Sequence, residues 1–230
     1  MKHPLVCTVV HLRSPLASAL VGPMRPFADA HQRRQEARRR RTALGRALVL
    51  SLIRQFGEEA APSLEIDSRG KPSIQPSDGT RPPAVSITHT IDMVSAAACD
   101  WGPVGIDLEM HDRRRDIARL AAFAFGPSEQ AMVRTGGAAA FYRIWTLREA
   151  MGKATGDGLS LATDGMDRIQ PAPFEGAWRS PDEAWQFAHC LIRPDVSFAM
   201  AIQAPPGTRP DSWSLNSITW WANDATSIEQ

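Results

Sequence analysis

Chemistry in this chain is most legible in two stretches, Val104-Gly-Ile-Asp-Leu-Glu-Met110 and Trp145-Thr-Leu-Arg-Glu-Ala-Met-Gly-Lys153. The first alternates, with Val104, Ile106, Leu108 and Met110 on one face and Gly105, Asp107 and Glu109 on the other, as a half-buried strand does. Asp107 and Glu109 then project from the same side, roughly 7 Å apart at about 3.4 Å per residue. Like charges so placed repel, and a hard divalent cation would compensate them; magnesium is commonly held by one or two carboxylates together with water and substrate phosphates. A one-sided sheet exposing its polar face gives the same alternation, so a plain solvated strand is the competing reading. In the second stretch Trp145, Glu149 and Lys153 recur at four-residue steps and share one helix face. By spacing alone, Glu149 and Lys153 also fit a surface ion pair worth about 0.3–0.5 kcal/mol.

The elements that position these groups belong to an ordinary globular chain. It has 230 residues, 43% hydrophobic and 22% charged, enough for one large domain or two small ones, each with a core. No apolar run approaches the length of a membrane span, and Met1 to Arg13 lacks the apolar core and cleavage site of a signal peptide, so a cytoplasmic protein is expected. Cys7, Cys99 and Cys190 are scattered and odd in number, which suits free thiols in a reducing compartment. The six histidines form no HxxxH or HExxH pair, which argues against zinc.

The net charge of +1 hides an uneven distribution. Residues 33 to 46 hold seven arginines against Glu36, +6 locally and −5 for the remainder. Such a concentration on one element suits a polyanion. Lysine occurs only at positions 2, 71 and 153, so where it replaces the prevailing arginine a compact ammonium is favoured over a planar fork.

In order, Leu5 to Leu12 reads as a strand, and Pro15, Pro23 and Pro26 interrupt the approach to a helix from about Asp29 to Gln55. Gly45 within that helix suggests close packing or ligand approach. Residues 57 to 83 read as an irregular connection containing Gly70-Lys-Pro72. Val85 to Ile87, Met93 to Cys99 and the 104–110 strand then suggest a three-stranded antiparallel meander. A helix is expected over 111–124, a second beginning near Gly126-Pro-Ser-Glu129 with Ser128 as its cap, and a third over Ala138 to Ala154, ended by Gly156-Asp-Gly158. Trp185 to Leu191 and Ser197 to Ile202 form a strand pair, a Pro-rich loop covers 204–210, and Trp213, Trp220 and Trp221 pin the tail to the body.

Gly70-Lys-Pro72, Thr88-His-Thr90, Gly105-Ile-Asp-Leu-Glu109 and Trp145 to Lys153 occur in the order and spacing of a known family, with Phe123-Ala-Phe125 and Glu129 between the last two and Gly156-Asp-Gly-Leu-Ser160 after them. Over roughly residues 38 to 202 the chain resembles the 4'-phosphopantetheinyl transferase superfamily, in its larger, surfactin-synthetase-activating type. The resemblance implies an α+β fold built as a pseudo-twofold pair of similar subdomains, each a small antiparallel sheet against a long helix. The expected boundary lies between residues 1–102, with the basic helix and coenzyme A pocket, and 103–230, with the acids and catalytic helix.

It also implies metal ligation by Asp107, Glu109 and Glu149, with magnesium the expected ion and manganese its substitute. Glu149 or a metal-bound water would be the general base, Lys153 would stabilise the leaving phosphate, and Asp107 would complete the catalytic set. Coenzyme A would meet Lys71 and Pro72 at the adenine, Thr88 and His89 at the 3'-phosphate, and Arg40, Arg41, Thr42 and Lys153 elsewhere. The implied reaction transfers the phosphopantetheine arm to a serine of an apo acyl or peptidyl carrier protein and releases adenosine 3',5'-bisphosphate, by a monomeric protein without membrane or nucleic-acid partners. The outer arginines, Arg34 and Arg38, are a candidate docking surface for an acidic carrier.

Arg148 stands where the family usually has lysine, and Thr90 where it usually has serine; each keeps the charge or the hydroxyl. The basic residues that some members carry upstream have no counterpart around Met24 to Asp29. The competing readings are a magnesium-dependent phosphohydrolase or nuclease, which would also want three carboxylates and a basic helix, and a non-catalytic nucleic-acid binder using the arginine run.

Overall fold

The computed structural model describes residues 5–24, 29–56, 63–75, 81–158, 176–180, 184–203, 205 and 219–221. Strand β1 (Leu5–His11) is followed by a short helix α1 (Pro15–Val21), the long basic helix α2 (Ala30–Ile53) and a 3-10 turn, Arg54–Phe56. Then come β2 (Ser63–Ile66), β3 (Pro72–Gln75), β4 (Ala84–His89), β5 (Met93–Cys99) and β6 (Val104–Met110). Helices α3 (Ile117–Ala124) and α4 (Pro127–Thr155) precede β7 (Gly176–Arg179), β8 (Trp185–Arg193), β9 (Val196–Gln203) and β10 (Thr219–Trp221). The fold is α+β, and among the described residues no helix is long and apolar enough to cross a membrane.

Two four-stranded sheets carry the architecture, in the orders β10-β1-β5-β4 and β6-β9-β8-β7. Strand alternation gives each sheet two apolar faces. Leu5, Cys7, Val9, Met93 and Ala97 of the first sheet meet Ile106, Leu108, Phe198, Met200 and Ile202 of the second in a shared core. The opposite face of the first sheet, with Val10, Val85, Val94 and Ala96, takes Leu44, Leu48, Val49 and Ile53 of α2. The opposite face of the second, with Phe187, Ala199 and Ala201, takes Leu147, Ala150, Met151 and Ala154 of α4. The layers therefore run helix, sheet, sheet, helix, which buries both faces of both sheets.

Several sequence expectations are corrected. The 104–110 strand does not complete a meander with β4 and β5; it pairs with β9 in the other sheet, from Val104 opposite Ile202 to Met110 opposite Val196. Its free edge still faces β4, but there the Ile106 and Leu108 amides donate to the side-chain hydroxyls of Ser86 and Thr88, at 3.1 and 3.2 Å. Hydroxyls at alternate positions of β4 thus satisfy donors that a ladder would otherwise take.

Residues 57–83 are not wholly irregular, since β2 and β3 form a hairpin with Ser63 opposite Gln75 and Ile66 opposite Pro72. The proline-broken approach contains α1, because Pro15 falls in the first turn, where no amide donor is needed, and Ser14 caps the Ala17 amide at 2.9 Å. Helix α3 begins only at Ile117, with Asp116 as its cap rather than at 111. The N-cap of α4 is Gly126, not Ser128, and its amide donates to Glu129 Oε2 at 3.0 Å. The helix expected from Ala138 is the second part of α4, which turns at Gly137 with φ of 60°, a conformation that costs glycine little. β10 is parallel to β1, so that pair departs from an all-antiparallel sheet. Trp213, most of the 204–210 loop, residues 25–28, and Leu159 and Ser160 lie outside the described residues.

Asp29 caps α2 through the Gln32 amide at 2.8 Å, as the expected boundary required. Gly45 lies against β4, where a Cβ would come 2.8 Å from Ile87 Cγ2. Gly105 is tighter, since a Cβ there would fall 1.9 Å from the Ala150 carbonyl oxygen and 2.5 Å from the Ala154 amide nitrogen. The strand that carries the acids is pressed onto the helix that carries Glu149 and Lys153.

Gly105→Ala should therefore cost about 3 kcal/mol or more and lower Tm by roughly 6–12 °C for a chain of this size. Gly45→Ala should change Tm much less, because Ile87 is a side chain that can shift and the helix gains about 1 kcal/mol of propensity. Equal shifts of the two variants in thermal unfolding would contradict this packing.

Candidate active site

Asp107 sits mid-strand in β6 on the face turned to α4, and it is buried, at 5% exposure. The plain solvated-strand reading therefore does not hold for it. Lys153, in the last turn of α4, donates to Asp107 Oδ1 at 2.6 Å and to Thr88 Oγ1 at 3.1 Å. The Thr88 hydroxyl itself donates to Asp107 Oδ1 at 3.1 Å. Accepting from Lys153 and Leu108 while donating to Asp107, this hydroxyl uses its full capacity. Three elements, β4, β6 and α4, meet at one carboxylate oxygen. Asp107 Oδ2 is buried and, among the described residues, has no hydrogen-bond partner.

Glu109 and Glu149 are half-buried beside this node. Burial first, and then the Asp107 charge, push the Glu149 carboxyl above its ordinary range, against the pull of Lys153. Glu109 is raised in the same way by burial, then by Asp107 and also by Glu149, while Arg115 and Lys153 pull it down. Glu109 Oε2 is met by Arg115 Nη1 at 3.3 Å. Arg115 was no candidate from the sequence, where it stands in a run of three arginines after Asp112 with nothing to single it out. Trp145, Glu149 and Lys153 form the partly open stripe of an otherwise mostly buried stretch of α4, consistent with their four-residue spacing.

The neighbouring residue Arg148 points the other way. It is buried and donates from Nη2 to Glu129 Oε2 at 2.6 Å, from Nε to Glu129 Oε1 at 3.2 Å and from Nη1 to the Ala124 carbonyl at 2.6 Å. This fork joins the second part of α4 to its first part and to the end of α3, across the turn at Gly137. The rotation of the helix at Arg148 sets where Glu149 points. Of the Phe123-Ala-Phe125 motif, Phe125 is buried beside Arg148 and Phe123 is exposed.

The other candidates divide. His89, at the surface end of β4, is held below the usual imidazole range by burial of its ring and by the Arg41 charge, with Lys153 adding to the effect. Arg41 donates to the Ile91 carbonyl at 3.1 Å and keeps a buried Nε without a partner among the described residues. Lys71 reaches across from the β2–β3 hairpin to the Ala154 carbonyl at 2.8 Å, at the end of α4; Pro72 begins β3 beside it. Arg40 turns inward instead, bonding the Leu12 carbonyl at 3.0 Å and the Gly22 carbonyl. Thr42 is exposed and bonds back to the Arg38 carbonyl at 3.2 Å. Neither reaches the Asp107 node.

The donor set suits a hard cation: an orphaned buried carboxylate oxygen on Asp107 and two further carboxylates whose proton affinity is raised by burial and by the Asp107 charge. In the conformation seen, no three His, Cys, Asp or Glu side chains among the described residues are close enough to share one ion. Lys153 and Arg115 hold two of these acids as ion pairs.

Comparison with known proteins converges on one family. The model of the 4'-phosphopantetheinyl transferase superfamily matches residues 103–201, which include β6 and α4. The chain is 29% identical to the 4'-phosphopantetheinyl transferase HetI of Nostoc sp., over 76% of this chain and 75% of that protein. It is 27% identical to the 4'-phosphopantetheinyl transferase psf-1 of Bacillus pumilus, over 74% of this chain and 82% of that one. Against the 4'-phosphopantetheinyl transferase AcpT of Salmonella typhi it is 31% identical, over 60% of this chain and 70% of AcpT. From these matches, and from the family model lying on the stretch that holds the acid cluster, the chain belongs to the 4'-phosphopantetheinyl transferase superfamily and is a transferase.

Proposed function

We propose that this protein transfers the 4'-phosphopantetheine arm of coenzyme A to a serine of an apo acyl or peptidyl carrier protein, with magnesium, releasing adenosine 3',5'-bisphosphate. The observation that carries the reading is the buried Asp107 carboxylate, with one oxygen held by Lys153 and the other orphaned, flanked by two carboxylates of raised affinity for protons. Family membership supplies the reaction class.

Asp107, Glu109 and Glu149 would hold the cation, which supplies charge neutralisation at the diphosphate when bound. Glu149 takes the proton of the serine hydroxyl; burial and the nearby Asp107 charge raise its proton affinity, which suits a general base. The serine oxygen attacks the phosphorus that bears the pantetheine arm, the P–O bond to the nucleotide phosphate breaks, and the electron pair leaves with adenosine 3',5'-bisphosphate. Lys153, on the same helix face one turn on, meets the charge developing on that leaving oxygen, a point-like target that an ammonium suits. Arg41, His89 and Lys71, on the first sheet's side of the node, are the residues that would meet the nucleotide. Exposed Arg34 and Arg38 on α2 offer positive charge to an acidic carrier.

Intact-mass measurement of an apo carrier protein incubated with this protein, coenzyme A and magnesium should show the gain of one phosphopantetheine; no gain with any acyl or peptidyl carrier would remove the reading.

Glu149→Gln should reduce transfer by roughly 10²–10⁴-fold. Because the folded-state affinity of Glu149 for protons is raised, its charge disfavours folding above its folded pKa, and that penalty disappears below the unfolded value. In the metal-free protein Glu149→Gln should thus raise Tm at neutral pH, with the gain fading as the solution is acidified. A Tm that falls at neutral pH would contradict the buried, repelled carboxylate.

Charge reversal at Arg34 and Arg38 should raise KM for the carrier and leave KM for coenzyme A unchanged; parallel changes in both would assign these arginines to the nucleotide.

A further inference from the structure

Two of the three acids are already paired from within. Lys153 Nζ lies 2.6 Å from Asp107 Oδ1, and Arg115 Nη1 lies 3.3 Å from Glu109 Oε2. A magnesium-sized ion needs oxygen ligands at about 2.0–2.1 Å in near-octahedral array. It can take the orphaned Asp107 Oδ2, but an ammonium held on the other oxygen of the same carboxylate then lies close by, and two cations so placed repel in a poorly solvated site. Lys153 in this position therefore opposes loading of the ion, and its withdrawal favours it.

Lys153 can withdraw. Its side chain is 32% exposed, and its other partner in the node is the neutral Thr88 hydroxyl. Four methylene groups let the ammonium swing, and a diphosphate is the kind of anion that would draw it. Arg115 is more exposed, with a side chain 40% exposed just before α3. Its guanidinium carbon also lies 6.0 Å from the Tyr142 ring, and its charge acts on Asp112.

We propose that Lys153 and Arg115 are resident counterions that occupy Asp107 and Glu109 in the metal-free protein, so that the divalent cation and coenzyme A load cooperatively; this rests on the transferase reading above. The diphosphate attracts Lys153, which frees Asp107 for the ion, and by linkage the ion favours the Lys153 position that meets the diphosphate. Metal affinity is then low before coenzyme A arrives and rises with it.

The test uses Mn²⁺ as probe, titrated by electron paramagnetic resonance into the full chain with and without coenzyme A. Without coenzyme A, Lys153→Met should bind Mn²⁺ about tenfold more tightly than the parent, within the roughly 5- to 150-fold range of coupled sites. Arg115→Met should bind it a few-fold more tightly. The factor by which coenzyme A tightens Mn²⁺ binding should be smaller in Lys153→Met than in the parent, while Lys153→Arg should keep the parent's low affinity. Affinity in Lys153→Met and Arg115→Met equal to or weaker than the parent's would overturn the counterion role and leave the transferase reading standing. Asp107→Asn is the separating control: if it binds Mn²⁺ as well as the parent, the ion is not at this cluster, and the metal assignment falls together with the inference.

Discussion

Much of this structure depends on how the open edge of β6 is satisfied. A strand at the edge of a sheet presents unpaired amides, and one buried between two sheets and a helix cannot leave them to water. Here β4 lies alongside but contributes Ser86 and Thr88 hydroxyls in place of a backbone ladder. Side-chain bonding lets β6 belong to the second sheet while touching the first, and it brings Thr88 to Asp107. The same hydroxyl then receives Lys153. A ladder between β4 and β6 would merge the two sheets and remove the gap in which Lys153 and Asp107 meet.

Gly105 completes the constraint from the other side. With no Cβ, β6 lies against the backbone of α4 at Ala150 and Ala154, so that two elements distant in sequence place their charged side chains within hydrogen-bond reach. The arrangement is electrostatically costly, since burial and the Asp107 charge raise the proton affinity of both Glu109 and Glu149. Lys153 and Arg115 offset part of that cost in the absence of an ion. Local unfavourable charge held by surrounding packing is common at functional sites.

What the sequence revealed follows what is periodic in it. The 104–110 alternation, the α2 boundary at Asp29 and the glycine stop of α4 at Gly156 are local signals, and the structure contains all three. The partner of β6 was not legible, because a turn at Asp100–Pro103 looks the same whether the next strand pairs with the last one or crosses to another sheet. The β2–β3 hairpin was hidden by its short, mostly exposed strands, which carry few apolar residues to alternate. Arg40, Arg41 and Thr42 are adjacent in sequence and so look like one binding run. Successive helix positions differ by about 100°, and the three point inward, toward the β4–β5 turn, and to solvent. Arg115 was invisible because its significance is a partner six residues away, through a turn that no periodicity announces.

The adjacency of Arg148 and Glu149 shows how a buried structural pair can serve a reactive neighbour. Breaking a buried ion pair by removing one partner costs about 3–5 kcal/mol, so the Arg148–Glu129 fork strongly resists rotation of α4 about its axis. Glycine at 137 gives the helix freedom to turn, and the fork then fixes how far, by tying residues on either side of that turn to the end of α3. A rotation of one residue's worth in one sense would bring the Arg148 guanidinium to the face beside Asp107, and in the other sense would carry the Glu149 carboxylate toward the apolar cluster around Phe125 and Phe141. The loss of the fork opposes the first, and the desolvation of an unpaired carboxylate opposes the second. The identity of the residue before Glu149 therefore bears on the reaction through geometry, and arginine, with its planar fork, holds Glu129 through both oxygens in a way that a single ammonium would not.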